Sequence, residues 1–257
     1  MTRFSNADDL RGADFREVSL AGSTFYDVSF AGASFREADF SGARMRGVQL
    51  ENVDIDGMVD RLVINGVEVA PLLEAELDRR HPGRERLRSE DPDDLRAGWS
   101  WLEEQWAATT AAALAAPADH LQLRVDDEWS FLETLRHLVH ATDCWLGVGV
   151  LGRTTYHPWG LTGPWIDPAT MGLDVTADPT TEQVLEVRAE RQALVRDRLA
   201  TATRPSLAVE TTPWADSPWP PPEPMTELAR LQVILEEEWW HLQFARRDMG
   251  SWPAPGS

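Results

Sequence analysis

The chain has 257 residues, 42% of them hydrophobic, enough for one large domain or two modest ones and too apolar for a disordered chain. A formal net charge of −19 argues against binding a nucleic-acid backbone or an anionic membrane surface, since both need clustered cations. Cys144 is the single cysteine, which excludes an intrachain disulfide, and MTRFSNADDL lacks the apolar run of a signal peptide, so a cytoplasmic protein is expected.

The first sixty residues carry a five-residue repeat. Leu10, Phe15, Leu20, Phe25, Phe30, Phe35, Phe40, Met45, Leu50 and Ile55 fall at every fifth position. Two places before most of them sits a small or β-branched residue, such as Ala13, Val28 or Ala38. A period of five fits neither a helix nor a plain strand, but it does fit a square-section β-solenoid. The segments ADFRE, ASFRE and ADFSG make Ala7 to Gly57 resemble the pentapeptide-repeat family. That resemblance implies a short right-handed β-solenoid of two to three coils, on the order of 12 Å tall at the usual strand spacing. Such arrays need capped ends, so this one is expected to serve as an appendage or as a surface for a protein partner or for self-association.

Beyond it, Asn65-Gly66 between β-branched residues predicts a tight hairpin, and Pro71 opens a short helix to Arg80. The charged segment from His81 to Asp94, with two prolines, reads as a linker or exposed loop. Four longer helices follow in the pattern, from about Pro92 to Ala116, Ser130 to Leu151, Thr180 to Ala202 and Thr226 to Gly250. In the first of them Trp99, Leu102, Trp106 and Leu114 have core-like spacing. Two long Pro/Trp-rich loops separate the later helices, which predicts a four-helix bundle with crossover connections. The whole is an α+β multidomain chain: solenoid over residues 1–60, hairpin, short helix and linker over 61–90, and bundle over 91–257.

The last helix contains EEEWWH. Glu237 and His241, four apart, share one helix face and can hold a metal ion between them. Any glutamate-rich helix produces such a pair, so a third ligand is required, and the second helix offers His137 and His140. The apolar stripe of Leu231, Leu235, Leu242, Ala245 and Met249 brings Glu238 nearer its centre than Glu237. A buried Glu238 needs a ligand role or a counter-ion, for which Arg136 and Arg230 are at hand. His140 falls away from the apolar stripe and reads as a surface or outer-sphere residue; Cys144 reads as a packed core thiol. Asp143 is either an orienting partner for a ligand imidazole or a surface aspartate.

The second helix, WSFLETLRHLVHATDCWL, and the last, EWWHLQFARRD, resemble the metal-binding helices of the DinB superfamily, in the Glu form of its mycothiol-dependent maleylpyruvate isomerase branch. The resemblance covers about Asp91 to Met249 and implies His137, Glu237 and His241 as ligands. Two imidazoles and a carboxylate suit Zn²⁺ first in a catalytic site, and also Fe(II), Ni²⁺ or Mn²⁺. It further implies a low-molecular-weight thiol as co-substrate, as in mycothiol- or bacillithiol-dependent S-transferases and isomerases acting on a small-molecule substrate. In that reading Glu238 or His157 moves a proton. The first Pro/Trp-rich loop, with Tyr156, Trp159 and Trp165, borders the pocket, and Arg153 is the nearest cation for an anionic substrate. Two other classes stand beside this one: a non-catalytic metal- or ligand-binding interaction module, and an Fe(II)-dependent enzyme using the same triad.

Overall fold

The computed structural model describes residues 4–5, 8–16, 18–36, 38–163 and 166–253. The chain separates into two compact units, Met1–Gly57 and Met58–Ser257.

In the first unit the backbone turns at the expected interval. Gly12, Gly22, Gly32 and Gly42 hold φ near +72° and close turns whose amides return to Leu10, Leu20, Phe30 and Phe40 at 2.9–3.0 Å. Intervening turns place Asp27, Asn52 and Gly47 at positive φ. Phe25, Phe30, Phe35 and Phe40 form a continuous row, with successive ring centroids 5.4, 5.6 and 5.4 Å apart. The full solenoid expected from the repeat is not reached among the described residues. No described backbone hydrogen bond joins positions twenty apart, as coil-to-coil pairing would require, and Phe30 stays 47% exposed. With so few repeats there are few layers to cover one another, so the inner row gains little burial.

The second unit opens with the predicted hairpin. Strands β1 (Val63–Ile64) and β2 (Val67–Glu68) pair antiparallel, Ile64 opposite Val67, across Asn65 and Gly66 at φ +51° and +85°. Helix α1 (Ala70–Arg80) follows. The segment after it is not an exposed linker. Residues Arg84–Arg88 form a 3₁₀ turn packed against the helices, and Arg84, 4% exposed, bridges Glu74 and Asp78 at 2.8 Å while lying over the Trp239 ring. Arginine carries its charge on a long apolar stem, so a segment that reads as polar can still dock.

Helices α2 (Pro92–Leu114), α3 (Phe131–Thr142), α4 (Thr181–Ala200) and α6 (Glu227–Met249) make the body. Their starts follow local chemistry. Asp91 accepts from the Asp93 amide, Ser130 with Glu133 and Thr180 with Gln183 form capping boxes, and Thr226 accepts from the Ala229 amide. Neighbouring pairs are α2 with α4, α4 with α3, α3 with α6 and α6 with α2, a cyclic order that sets consecutive helices α2 and α3 diagonally. Leu95, Leu102, Leu138, Leu146, Val195, Leu231 and Leu242 fill the centre with at most 1% exposure. Leu114, expected inward, is 48% exposed because α2 is ending there. The second predicted helix does not run unbroken to Leu151. After Thr142 it widens into a π-helical turn over Asp143–Val148. The short helix α5 (Arg204–Leu207) leads to β3 (Glu210–Thr211), which pairs with β4 (Met225–Thr226) and closes the base of the second Pro/Trp-rich loop. Among the described residues no helix is long and apolar enough to cross a membrane.

Replacing Arg84 with alanine removes the buried cation that ties Glu74 and Asp78 of α1 to the Trp239 face and leaves both acids to the more exposed Arg88. A loss of about 1.5–3 kcal/mol in unfolding free energy is expected, read from the urea midpoint.

Candidate metal centre

Three side chains from α3 and α6 converge. His137 Nε2 lies 3.2 Å from Glu237 Oε2, which lies 3.3 Å from His241 Nδ1. The two imidazole rings stand 4.6 Å apart, and one candidate ligand atom from each of the three residues lies within 4.8 Å of the others. Helix periodicity sets Glu237 and His241 one turn apart; the packing of α3 against α6 brings His137 opposite.

The hydrogen bonds around the rings determine which nitrogens are free. His137 Nδ1 donates to the Leu161 carbonyl at 3.0 Å, and His241 Nδ1 donates to the Glu237 carbonyl at 2.9 Å. A carbonyl only accepts, so in each neutral ring Nδ1 carries the proton and Nε2 offers a lone pair. The His137 Nε2 lone pair therefore faces a carboxylate oxygen, acceptor against acceptor. That contact is repulsive unless a positive charge stands at it, either a proton on the imidazole or a cation shared by the group. Burial pushes the Glu237 carboxyl up, but the hydrogen bond from a protonated His137 and the charge that His137 and His241 carry when protonated outweigh it and hold the group below the usual carboxylate range. Burial, with His137 second, lowers His241 to about 4. The donors fit a divalent ion of the kind bound by imidazole and carboxylate.

Trp129 stacks beside both imidazoles, 4.5 Å from the His137 ring and 6.1 Å from that of His241. A cleft of about 90 Å³ opens from His137 and Glu237 toward Ala141, Cys144, Trp145, Thr162, Gly163, Ile166 and Trp219. Tyr156 donates its hydroxyl to the Trp219 carbonyl and so ties the two loops together behind this cleft. At Gly160 an added Cβ would stand 3.1 Å from the His140 Cβ, so glycine lets the first loop close over α3.

Other residues singled out by the sequence fall differently. His140 is not at the surface: it is 3% exposed, its Nε2 3.4 Å from Cys144 Sγ, and burial lowers it to about 3. The first loop covers the side of α3 that an isolated helix would show to water. Cys144 is buried at 1% exposure, and burial raises its thiol well above the usual range. Asp143 orients no ligand imidazole. It is 2% exposed, accepts from Arg191 at 2.9 and 3.2 Å and from the His157 amide at 2.8 Å. His157 thus meets the site's surroundings through its backbone, and its ring packs on Trp159 at 5.0 Å, outside the cleft lining. The Trp159 carbonyl accepts from Arg136 at 2.8 Å, and Arg153 is exposed and away from the cleft. Trp165 lies outside the described residues.

Glu238 is fully buried and faces away from the cleft. Its counter-ion is neither Arg136 nor Arg230 but Arg188 of α4, which is 3% exposed. Burial raises the Glu238 carboxyl, with Arg188 opposing. Arg230 instead holds the second loop, donating to Thr211 and to the Glu223 carbonyl. Sequence reasoning passed over Trp129, Trp219 and Arg188, and took Trp145 only as an inward residue of the second helix. Trp145 was accessible, since Ala141 and Trp145 continue the His137 face at intervals of four. Trp219, from a loop about eighty residues downstream, had no local signal.

A family model described as the DinB superfamily matches residues 102–245, more than half of the chain and inclusive of all three converging residues. A second, described as pentapeptide repeats, matches eight copies over residues 2–35, 9–47 and 19–57. Searches of curated proteins and of solved structures return no match.

Arg188→Ala should cost about 3–5 kcal/mol by leaving Glu238 charged and alone in the core, while the double replacement Arg188→Met with Glu238→Leu recovers most of it. Equilibrium denaturation of the three proteins checks this. A pH effect follows as well. His140 and His241 titrate in the folded chain at about 3 and about 4, below the unfolded histidine value near 6.5. Across that interval the unfolded chain binds protons that the folded chain refuses, so stability is complete above it and falls as pH drops. The thermal midpoint of metal-free protein should decline from about pH 6.5 to about 4.5, less steeply in His140→Gln.

Proposed function

Because this chain belongs to the DinB superfamily, and because its α3 and α6 carry the convergent set His137, Glu237 and His241, we propose that it is a metal-dependent enzyme transferring or isomerising with a low-molecular-weight thiol, of the mycothiol type, as co-substrate. The supporting observation is the convergence of His137, Glu237 and His241, with His137 Nε2 3.2 Å from Glu237 Oε2, a contact of two acceptors that a shared cation would relieve.

His137, Glu237 and His241 would hold the ion, Zn²⁺ first among the candidates. When bound, such an ion supplies Lewis acidity that lowers the pKa of a thiol so that thiolate forms at neutral pH. The chain's own residues do the rest. The Leu161 and Glu237 carbonyls accept from the two Nδ1 atoms, which in the neutral rings leaves each Nε2 lone pair free for an ion. Trp129 shields one side of the imidazoles from water. Trp145 and Trp219 form the far end of the cleft, where the electrophile would be seated beside the ligands. Glu238, paired with Arg188 inside the core, is read as a support for α6 rather than a proton carrier. The repeat unit, with its half-exposed phenylalanine row, is read as a surface for a protein partner or for self-association.

The test is metal binding followed by turnover. Metal-free protein titrated with Co²⁺ should take up one equivalent at micromolar concentration, with the absorption of a low-coordinate site. His137→Ala and His241→Ala should each weaken uptake by more than the about 10–100-fold that an outer-sphere partner is worth. Conjugation of a thiol to a simple electrophile should fall in parallel in His241→Ala. A well-folded apo protein that binds no divalent ion at micromolar concentration would sink the proposal, and elemental analysis after anaerobic purification separates zinc from iron.

A further inference from the structure

The repeat unit has apolar side chains but no interior. Among its described residues none is buried. The members of the five-step series, from Leu10 to Ile55, each leave 44–65% of their surface in water, and Val18, Val28, Val48 and Val53 leave 52–56%. Phe25, Phe30, Phe35 and Phe40 are the middle of the series, ring against ring. The backbone repeats its turn at Gly12, Gly22, Gly32 and Gly42 with φ of 72–73°, so the series continues in the same way on both sides of them.

Area points to a large partner. A Phe-sized side chain presents about 150–250 Å². The series at half exposure therefore offers on the order of 900 Å², more than the patch of about 300–600 Å² found on an ordinary monomer. It is close to the ~800 Å² that each partner gives to a stable interface.

Charge selects the partner. Directly after members of the series stand Arg11 and Arg16 at one end, Glu51 and Asp56 at the other, and Arg36 and Arg46 between them. Two copies laid antiparallel, with the two-fold axis between Phe30 and Phe35, bring Arg11 to Asp56 and Arg16 to Glu51, twice over, and set Arg36 and Arg46 against Ala31 and Ala21. Parallel copies in register would set every one of these charges against its own kind. Directly before the series, the antiparallel arrangement leaves one like pair, Asp9 with Asp54, and Asp9 is already held by Arg11 at 2.7 Å. Arg11 and Arg16 sit on Asp9 and Asp14 in exposed pairs, which cost little to share with a second acid.

We infer that the repeat unit is a self-recognition surface. Two copies of this chain join antiparallel along the Leu10–Ile55 series, the phenylalanines of one closing on those of the other, with Arg11 and Arg16 facing Glu51 and Asp56 of the second copy. This rests on the reading of the repeat unit given above and narrows it to one partner. It makes no use of the metal centre, so a monomer that binds metal overturns this inference alone.

Sedimentation velocity of the full chain over a micromolar range should show a dimer that weakens as salt is added. Phe30→Ser with Phe35→Ser should give a monomer. Arg11→Glu with Arg16→Glu should weaken the dimer by about tenfold or more, since attraction becomes repulsion at both ends. Adding Glu51→Arg and Asp56→Arg to that variant should restore it, a gain that misfolding cannot imitate. Mixed with wild type, this four-fold variant should sort with its own kind, whereas parallel pairing would join the two chains. Fluorescence energy transfer between labelled chains reads the sorting. A monomer at every concentration, a dimer indifferent to the two serines or to reversal at Arg11 and Arg16, or mixed dimers favoured over like ones would each overturn the inference.

Discussion

Two adjacent carboxylates on one helix, Glu238 fully buried and Glu237 half-buried at a cleft, set the terms for this protein. Glu237 and Glu238 are consecutive on α6, so their side chains leave the helix about 100° apart and cannot share one solution. A carboxylate removed from solvent requires positive charge or hydrogen-bond donors close by. Glu238 finds its charge in Arg188, reaching from α4 through the middle of the bundle. Glu237 meets two imidazoles whose Nδ1 protons are already spent on carbonyls, an arrangement that could hold a cation between the three side chains. The orientation of α6 satisfies both demands at once.

The charged pairs through the bundle explain why α4 looks so unlike a core helix. Its apolar periodicity is poor, yet Val184, Val195 and Leu199 are buried. Between them Arg188, Arg191 and Arg198 reach Glu238, Asp143 and Glu227, all three of which are buried. Ion pairs of this kind contribute little net stability, since desolvation offsets most of their attraction, but a mispaired arrangement costs far more. They therefore act on register. Slippage of α4 against α6 by one turn would strand several charges together, and the ligand geometry on α6 inherits that precision.

Loops complete what the helices begin. The first long loop lies on α3, taking a bond from His137 at Leu161 and covering His140, and the second reaches back through Trp219 and is held at its base by Arg230 and the β3–β4 pair. With both in place, α3 is buried nearly all round, and the cleft that remains is small, aromatic and without arginine. Cys144 and Trp145, on the π-turn that opens at Asp143, both line that cleft.

Residue order alone determined the five-residue turns, the Asn65-Gly66 hairpin, the caps at Ser130 and Thr180, and the pairing of Glu237 with His241, because each depends on neighbours within one turn of chain. The choice of His137 as third ligand came from likeness to a known family, which the structure matches through the meeting of α3 and α6. Everything decided by distant contacts lay beyond local patterns. The partner of Glu238 is fifty residues away on α4, the cover over His140 is a loop, and the docking of Arg84 depends on acids of α1 and a tryptophan of α6. A helical wheel assigns one side to water, and only the packed molecule reveals that α3 has no such side. For the same reason the repeat's period dictates where the chain turns, whereas closure into coils requires layers enough to bury one another.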